Sequence, residues 1–189
     1  IDTGNLKISY CGNIRLGRNK SLVDIGNALQ KINTAYKVDV YSAEKNEEFI
    51  KVLSECPGIR YHGLVPYNEV MRITAESDIS IIVEGFSPED VTITKYSLST
   101  KAADAISTGC QILSYGSADC GVIGYMISTE CSVVCTDKSM LLDSIKKLIN
   151  DKEYQRKLYD QSAVIQKVHH NKEKSIAVTE RLFRELIEE

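Results

Sequence analysis

Ile79-Ser80-Ile81-Ile82-Val83 is an unbroken and almost wholly β-branched run. It has no polar side to turn toward water, so it reads as a strand covered on both faces, the habit of a parallel sheet between two helical layers. The chain alternates in both directions from it. Upstream, Leu6 to Cys11 alternates apolar with polar residues and stops at Gly12, a strand running into a turn. Leu22, Ile25, Leu29 and Ile32 then form one apolar helix face. Val38 to Tyr41 is a second strand, Glu44 to Ser54 a helix, and Ile59 to Gly63 a third strand after the Pro57-Gly58 break. Pro66 to Ser77 suits a helix with proline in its first turn. Downstream, Glu84 to Leu98 reads as a long polar stretch, followed by a helix from Ser99 to Ser107 closed by Gly109. Residues 111–116 and 132–135 are strands five and six with a helix between them, and three helical segments follow near 139–149, 152–168 and 172–188. In the last of these, Ile176, Thr179, Phe183 and Leu186 line one side.

Six strands separated by helices require right-handed βαβ crossovers. The fold class is α/β: a doubly wound, mostly parallel, six-stranded Rossmann-like sheet with C-terminal helices. No repeat or linker divides the chain, so residues 1–189 read as a single domain, with 151–189 as a helical tail.

Composition narrows the function. Lys plus Arg number 23 and Asp plus Glu 26, a net charge of −3 over 189 residues, which argues against a general nucleic-acid partner. No apolar run is long enough for a transmembrane segment, and Ile1 to Asn5 does not open a secretory signal. The expected location is cytoplasmic, at most peripheral to the inner membrane face. The first residue is not methionine, so the chain reads as a piece of something longer. The six cysteines sit mostly in or beside apolar β runs, and residues four apart on a strand lie about 13 Å apart, too far for a bridge or a shared metal. They read as buried or semi-buried thiols in a reducing compartment.

In an open parallel sheet a ligand sits beyond the carboxyl ends of the strands, which directs attention to the turns after strands one, three, four and five. Two carry unusual residues. Gly12 to Lys20 places Arg15, Arg18 and Lys20 close to a helix N-terminus, where cations oppose the dipole unless an anion is present. A phosphate site and a solvated basic loop are both readings of it. In Tyr96 to Asp104, Ser99 or its neighbour can cap a helix whose first turn carries Lys101, with Asp104 one turn on. That carboxylate could accept from a pair of sugar hydroxyls, or the two could form a surface pair. The adjacent His169 and His170 point about 100° apart on a helix, so a shared metal is not expected, and exposure is the plainer reading.

Together these segments resemble the C-terminal, donor-binding half of a GT-B glycosyltransferase of the group 1, family-4-like retaining type. Tyr10-Cys11-Gly12-Asn13 with the Arg15/Arg18 loop is similar to the opening of that half. Gly58 to Pro66 is similar to its strand and turn beside the nucleotide base. Ser99-Thr100-Lys101 through Asp104-Ala105-Ile106-Ser107-Thr108-Gly109 resembles its signature before strand five. The resemblance implies that Arg15, Arg18 and Lys20 bind the donor diphosphate, with Ser99, Thr100 and Lys101 holding it from the other side. It implies Asp104 on the ribose hydroxyls and Tyr61, His62, Gly63 and Leu64 bordering the base. Retaining members carry a glutamate eight residues before the ribose carboxylate, where this chain has Tyr96. Glu84, Glu89 and Asp90 are the acids nearest upstream that could substitute.

The function expected from the resemblance is transfer of a hexosyl group from a nucleotide-sugar, a UDP-sugar first, to a surface glycan or lipid-linked acceptor. The acceptor would bind to an N-terminal domain that precedes Ile1. No cofactor and no metal are expected, since there is no D-x-D motif and arginines with helix amides can neutralise a departing diphosphate. Two alternatives stand beside it: a stand-alone flavodoxin-like α/β binding module without catalysis, and half of a GT-B nucleotide-sugar epimerase.

Overall fold

The computed structural model describes residues 1–188. Six strands, β1 (Ile8–Cys11), β2 (Val38–Tyr41), β3 (Ile59–Gly63), β4 (Ile79–Val83), β5 (Gln111–Tyr115) and β6 (Val133–Cys135), form one sheet. Every pairing in it is parallel, and the order is β3-β2-β1-β4-β5-β6. The helices are α1 (Arg18–Ile32), α2 (Glu47–Ser54), α3 (Tyr67–Glu76), α4 (Pro88–Thr94), α5 (Thr100–Thr108), α6 (Gly121–Thr129), α7 (Leu141–Asn150), α8 (Lys152–His169) and α9 (Lys172–Glu188). A flavodoxin-like sheet would run 2-1-3-4-5, so the expected flavodoxin-like strand order does not hold. The observed order is the doubly wound one, with its direction change between β1 and β4.

All five residues of β4 are buried, as its composition requires. Its side chains divide between two cores. Ile79, Ile81 and Val83 join Ile8, Tyr10, Leu113 and Tyr115 under α1 and α7, while Ile82 joins Ala105, Ile106, Ile112 and Met126 under α5, α6 and α8. The same two-residue period sends Ser9 and Ser80, paired in register, to the second side, where Ser77 Oγ donates to Ser9 Oγ at 2.7 Å.

Three local outcomes differ from the sequence reading. The polar stretch after β4 contains α4: Ser87 Oγ accepts from the Asp90 amide at 3.2 Å, Pro88 opens the first turn, and Glu89 and Asp90 suit its dipole. Helix α1 starts at Arg18, one turn before its apolar stripe, because Leu16 (φ 57°) and Gly17 (φ 72°) reverse the chain there. A Cβ on Gly17 would lie 2.5 Å from Asp90 Oδ2, so the turn and α4 are fitted to one another. The two histidines, finally, are not simply exposed: Tyr125 Oη of α6 lies 2.7 Å from His170 Nε2 and 3.2 Å from His169 Nδ1. That contact ties the end of α8 to α6. Beyond it α9 leaves the domain, with its side chains exposed through Ile187.

The six cysteines are free thiols, four of them buried and two half-buried. No described helix is long and apolar enough to cross a membrane.

Candidate functional site

The carboxyl ends of β1, β2 and β3, with the first turns of α3 and α5, enclose a cavity of about 620 Å³, within the range of small-molecule sites. Its floor is Cys11, Gly12 and Asn13 at the end of β1, and one wall is Tyr41 to Lys45 at the end of β2. Leu64, Val65, Tyr67 and Val70 form a second wall, and Thr100, Lys101 and Asp104 of α5 close the side toward β4. This is the crevice that the strand order predicts beside the β1/β4 switch.

The floor is held rigidly. The Gly12 amide donates to the Tyr41 carbonyl at 2.9 Å, the Tyr10 hydroxyl to the Asn13 carbonyl at 2.5 Å, and the Arg15 amide to Asn13 Oδ1 at 2.7 Å. Burial pushes the Cys11 thiol up to about 11, which favours its protonated form near neutral pH. Gly12 is where the backbone makes room: a Cβ there would lie 2.9 Å from Lys101 Cδ. The stem of Lys101 therefore lies across Gly12, with Nζ 5.7 Å from the centre of the Tyr10 ring. Desolvation, followed by the positive charge of Arg18, lowers the pKa of Lys101, against a smaller opposing effect from Glu84. Among the described residues the Lys101 ammonium forms no ion pair, with Asp104 or any other carboxylate. Its helix is capped by Ser99, whose Oγ accepts from the Lys101 amide at 3.3 Å.

The basic loop finds its anions inside the chain. Arg18 donates from Nε to Glu84 Oε2 at 2.9 Å, and its Nη2 lies 2.7 Å from the same oxygen. Burial raises the Glu84 pKa and Arg18 opposes the rise. Arg15 and Glu44 both line the cavity and pair there, with Nε–Oε2 at 2.5 Å and Nη2–Oε1 at 2.9 Å. The hydrogen bond from Arg15 and then the Asn46 amide hold the Glu44 carboxyl down to about 2.

The sequence-predicted residues therefore divide. Arg15, Leu64, Thr100, Lys101 and Asp104 meet around one cavity. Arg18 lies behind it on Glu84, Lys20 is exposed on α1, and Ser99 acts as a cap. The Tyr61 hydroxyl donates to the carbonyls of Ser42 and Glu44, both at 3.2 Å, and so supports the wall. His62 stacks on Tyr41 with its Nε2 2.6 Å from Asp39 Oδ1, and Gly63 turns the chain at φ 78°. Of the candidate acids, Glu84 is 3% exposed and committed to Arg18. Glu89 lies on the exposed first turn of α4, and Asp90 is engaged by Ser87 at 2.8 Å beside Gly17. Tyr96 is 90% exposed.

Sequence reasoning missed the segment after β2, which supplies Tyr41 and Glu44, together with Tyr67 of α3. The signal was available: the rule that directs attention to the carboxyl ends of strands applies to β2 as much as to its neighbours.

No family model matches the sequence, and no curated protein matches it significantly. In fold the chain is similar to solved glycosyltransferases. Sucrose-phosphate synthase from Thermosynechococcus elongatus matches with a TM-score of 0.71 at 14% identity, over 96% of this chain and 46% of that one. TarM of S. aureus, in a structure that includes UDP, matches at 0.68 and 11% identity, over 94% of this chain and 35% of that one. The C-terminal domain of a glycosyl transferase group 1 family protein (LpcC) from Francisella tularensis matches at 0.67 and 12% identity, over 88% of this chain and 87% of that one. The chain thus spans less than half the length of the first two and most of an isolated C-terminal domain. Its fold is that of the C-terminal domain of GT-B glycosyltransferases.

Proposed function

We propose that this domain binds the nucleotide-sugar donor of a glycosyltransferase, with the diphosphate over Gly12 and between Arg15 and Lys101. The observation that carries the reading is Lys101: an ammonium lining the cavity, half-buried, on the first turn of a helix and in no ion pair among the described residues. Such a group is costly to keep charged when empty and gains most when a polyanion arrives. Asp104, one turn further along α5 and on the same cavity wall, is placed to accept from ribose hydroxyls. Leu64 and Tyr67 offer exposed apolar surface beside the cavity for a base.

In the reaction this chain's residues would position the donor and stabilise the charge that grows on the departing diphosphate. Arg15, Lys101 and the positive end of the α5 dipole supply that stabilisation. A UDP-linked hexose is the donor to try first, because TarM, of similar fold, was solved with UDP. Transfer to a surface glycan or lipid-linked acceptor, through a second domain, belongs to the same proposal. No acid of this chain other than Asp104 and Glu44 lines the cavity among the described residues, so the sugar is expected to be held by groups outside it.

Thermal unfolding with UDP, GDP, ADP and NAD tests the reading. A ligand at ten times its Kd adds about 1.4 kcal/mol, a Tm shift of roughly 3–6 °C for a domain of this size. One nucleoside diphosphate should give that shift and NAD none. Lys101→Met should abolish it while leaving the ligand-free Tm unchanged or higher, because the substitution removes a half-buried unpaired charge. Asp104→Ala should reduce it. Absence of a shift with every nucleotide at millimolar concentration would overturn the reading.

A further inference from the structure

We propose that Glu44 is a positioning residue for anion binding: it fixes the Arg15 guanidinium at the cavity by Nε and Nη2 and leaves Nη1 to meet an anion. The inference rests on the donor-site reading and deepens it, because the resemblance assigns Arg15 to the diphosphate and assigns nothing to Glu44. Arg15 is a long side chain, 57% exposed, on a surface loop, and left alone it would sample many rotamers. Glu44 removes that freedom. Its side chain is only 6% exposed, and its two oxygens take Nε and Nη2 of the guanidinium in the side-on bidentate geometry. The carboxylate is itself anchored, since Oε1 also accepts from the amides of Lys45 at 3.0 Å and Asn46 at 2.9 Å. Asn46 in turn caps α2, so the chain of contacts runs from a helix terminus through Glu44 to Arg15. The Arg15 guanidinium also lies 5.9 Å from the centre of the Phe49 ring, on that helix.

The opposite role has an opposite sign. A carboxylate that merely sits near a polyanion repels it, so its removal should tighten binding. A carboxylate that orients an arginine does the reverse, because its removal releases the guanidinium into solvent.

Dissociation constants for UDP, GDP, ADP and inorganic pyrophosphate, measured by calorimetry on the full chain, test this. The proteins needed are the wild type, Glu44→Ala, Arg15→Ala and the double variant. Glu44→Ala should weaken binding of the preferred ligand by about tenfold, the scale of one charge-assisted hydrogen bond lost. In the Arg15→Ala background the same substitution should leave binding unchanged or tighten it, because the carboxylate then adds only its repulsion. Glu44→Gln, which keeps an oxygen for the two backbone amides but withdraws the second anionic oxygen from Arg15, should fall between. It serves as the test variant if Glu44→Ala unfolds. Unchanged or tighter binding in either variant would overturn the proposal. So would an equal loss with and without Arg15, which would make Glu44 only part of the wall. Binding of none of the four ligands by the wild type would overturn the donor-site reading itself, and is seen before any variant is made.

Discussion

Arg18 and Glu84 meet out of solvent, their side chains 10% and 3% exposed, and each depends on the other to remain charged there. Removing one partner of such a pair leaves a desolvated charge behind, at a cost of about 3–5 kcal/mol. Arg18→Ala should therefore lower the free energy of urea unfolding by that amount. Arg18→Met combined with Glu84→Leu should recover most of it. This matters for reading any binding experiment. An Arg18 variant that fails to bind a nucleotide would report a damaged domain, whereas Lys101 can be changed without stranding a partner. From sequence the three cations between Arg15 and Lys20 looked alike, since all stand near one helix start. Tertiary structure separates them: one is held at the cavity by Glu44, one is neutralised behind it by Glu84, and one is in solvent. Their partners lie 29 and 66 residues away, beyond what local pattern can reach.

Elements differ in how much of them is legible. Helix α1 and strand β4 announce themselves by period and composition because their apolar faces pack against the sheet and the helical layers. Helix α4 has seven residues and buries only Thr94, so it has no apolar stripe, and the signals for it are its cap and its proline. At the other end of the chain, the α8–α9 junction depends on His170 and Tyr125. Burial, and then the neighbouring His169, lower the His170 pKa below its ordinary 6.5. On acidification the unfolded chain takes up that proton before the folded one does. The contribution of the neutral histidine is thus complete above about pH 6.5 and is lost as the pH falls toward the folded-state value. The Tm of the wild type should drop between about pH 7 and pH 5 by more than that of His170→Asn. Equal drops would remove His170 as the cause.

For the molecule as a whole, the cooperative unit should end near His170. The described side chains of α9 are exposed, and its apolar residues contribute to neither core. A chain ending at Asn171 should unfold in urea with a free energy within about 0.5 kcal/mol of the full one. A larger loss would mean that α9 docks on the domain in solution. The class, the six strands and their parallel sense are readable in residue order alone, because continuous β-branched runs separated by helical stripes admit few other arrangements. Residue order also determines that α5 begins with a cap, a lysine and an aspartate one turn apart, since helical period is a local property. The strand order, and which chemistry-bearing residues share a cavity, come from packing between distant segments. Strand order places the ends of β1, β2 and β3 beside the first turn of α5, which brings Arg15, Glu44, Leu64, Lys101 and Asp104 together. The same packing decides which charges are already matched. A carboxylate is satisfied or left free by whatever the fold sets within hydrogen-bond reach, and separation along the chain says little about distance across it.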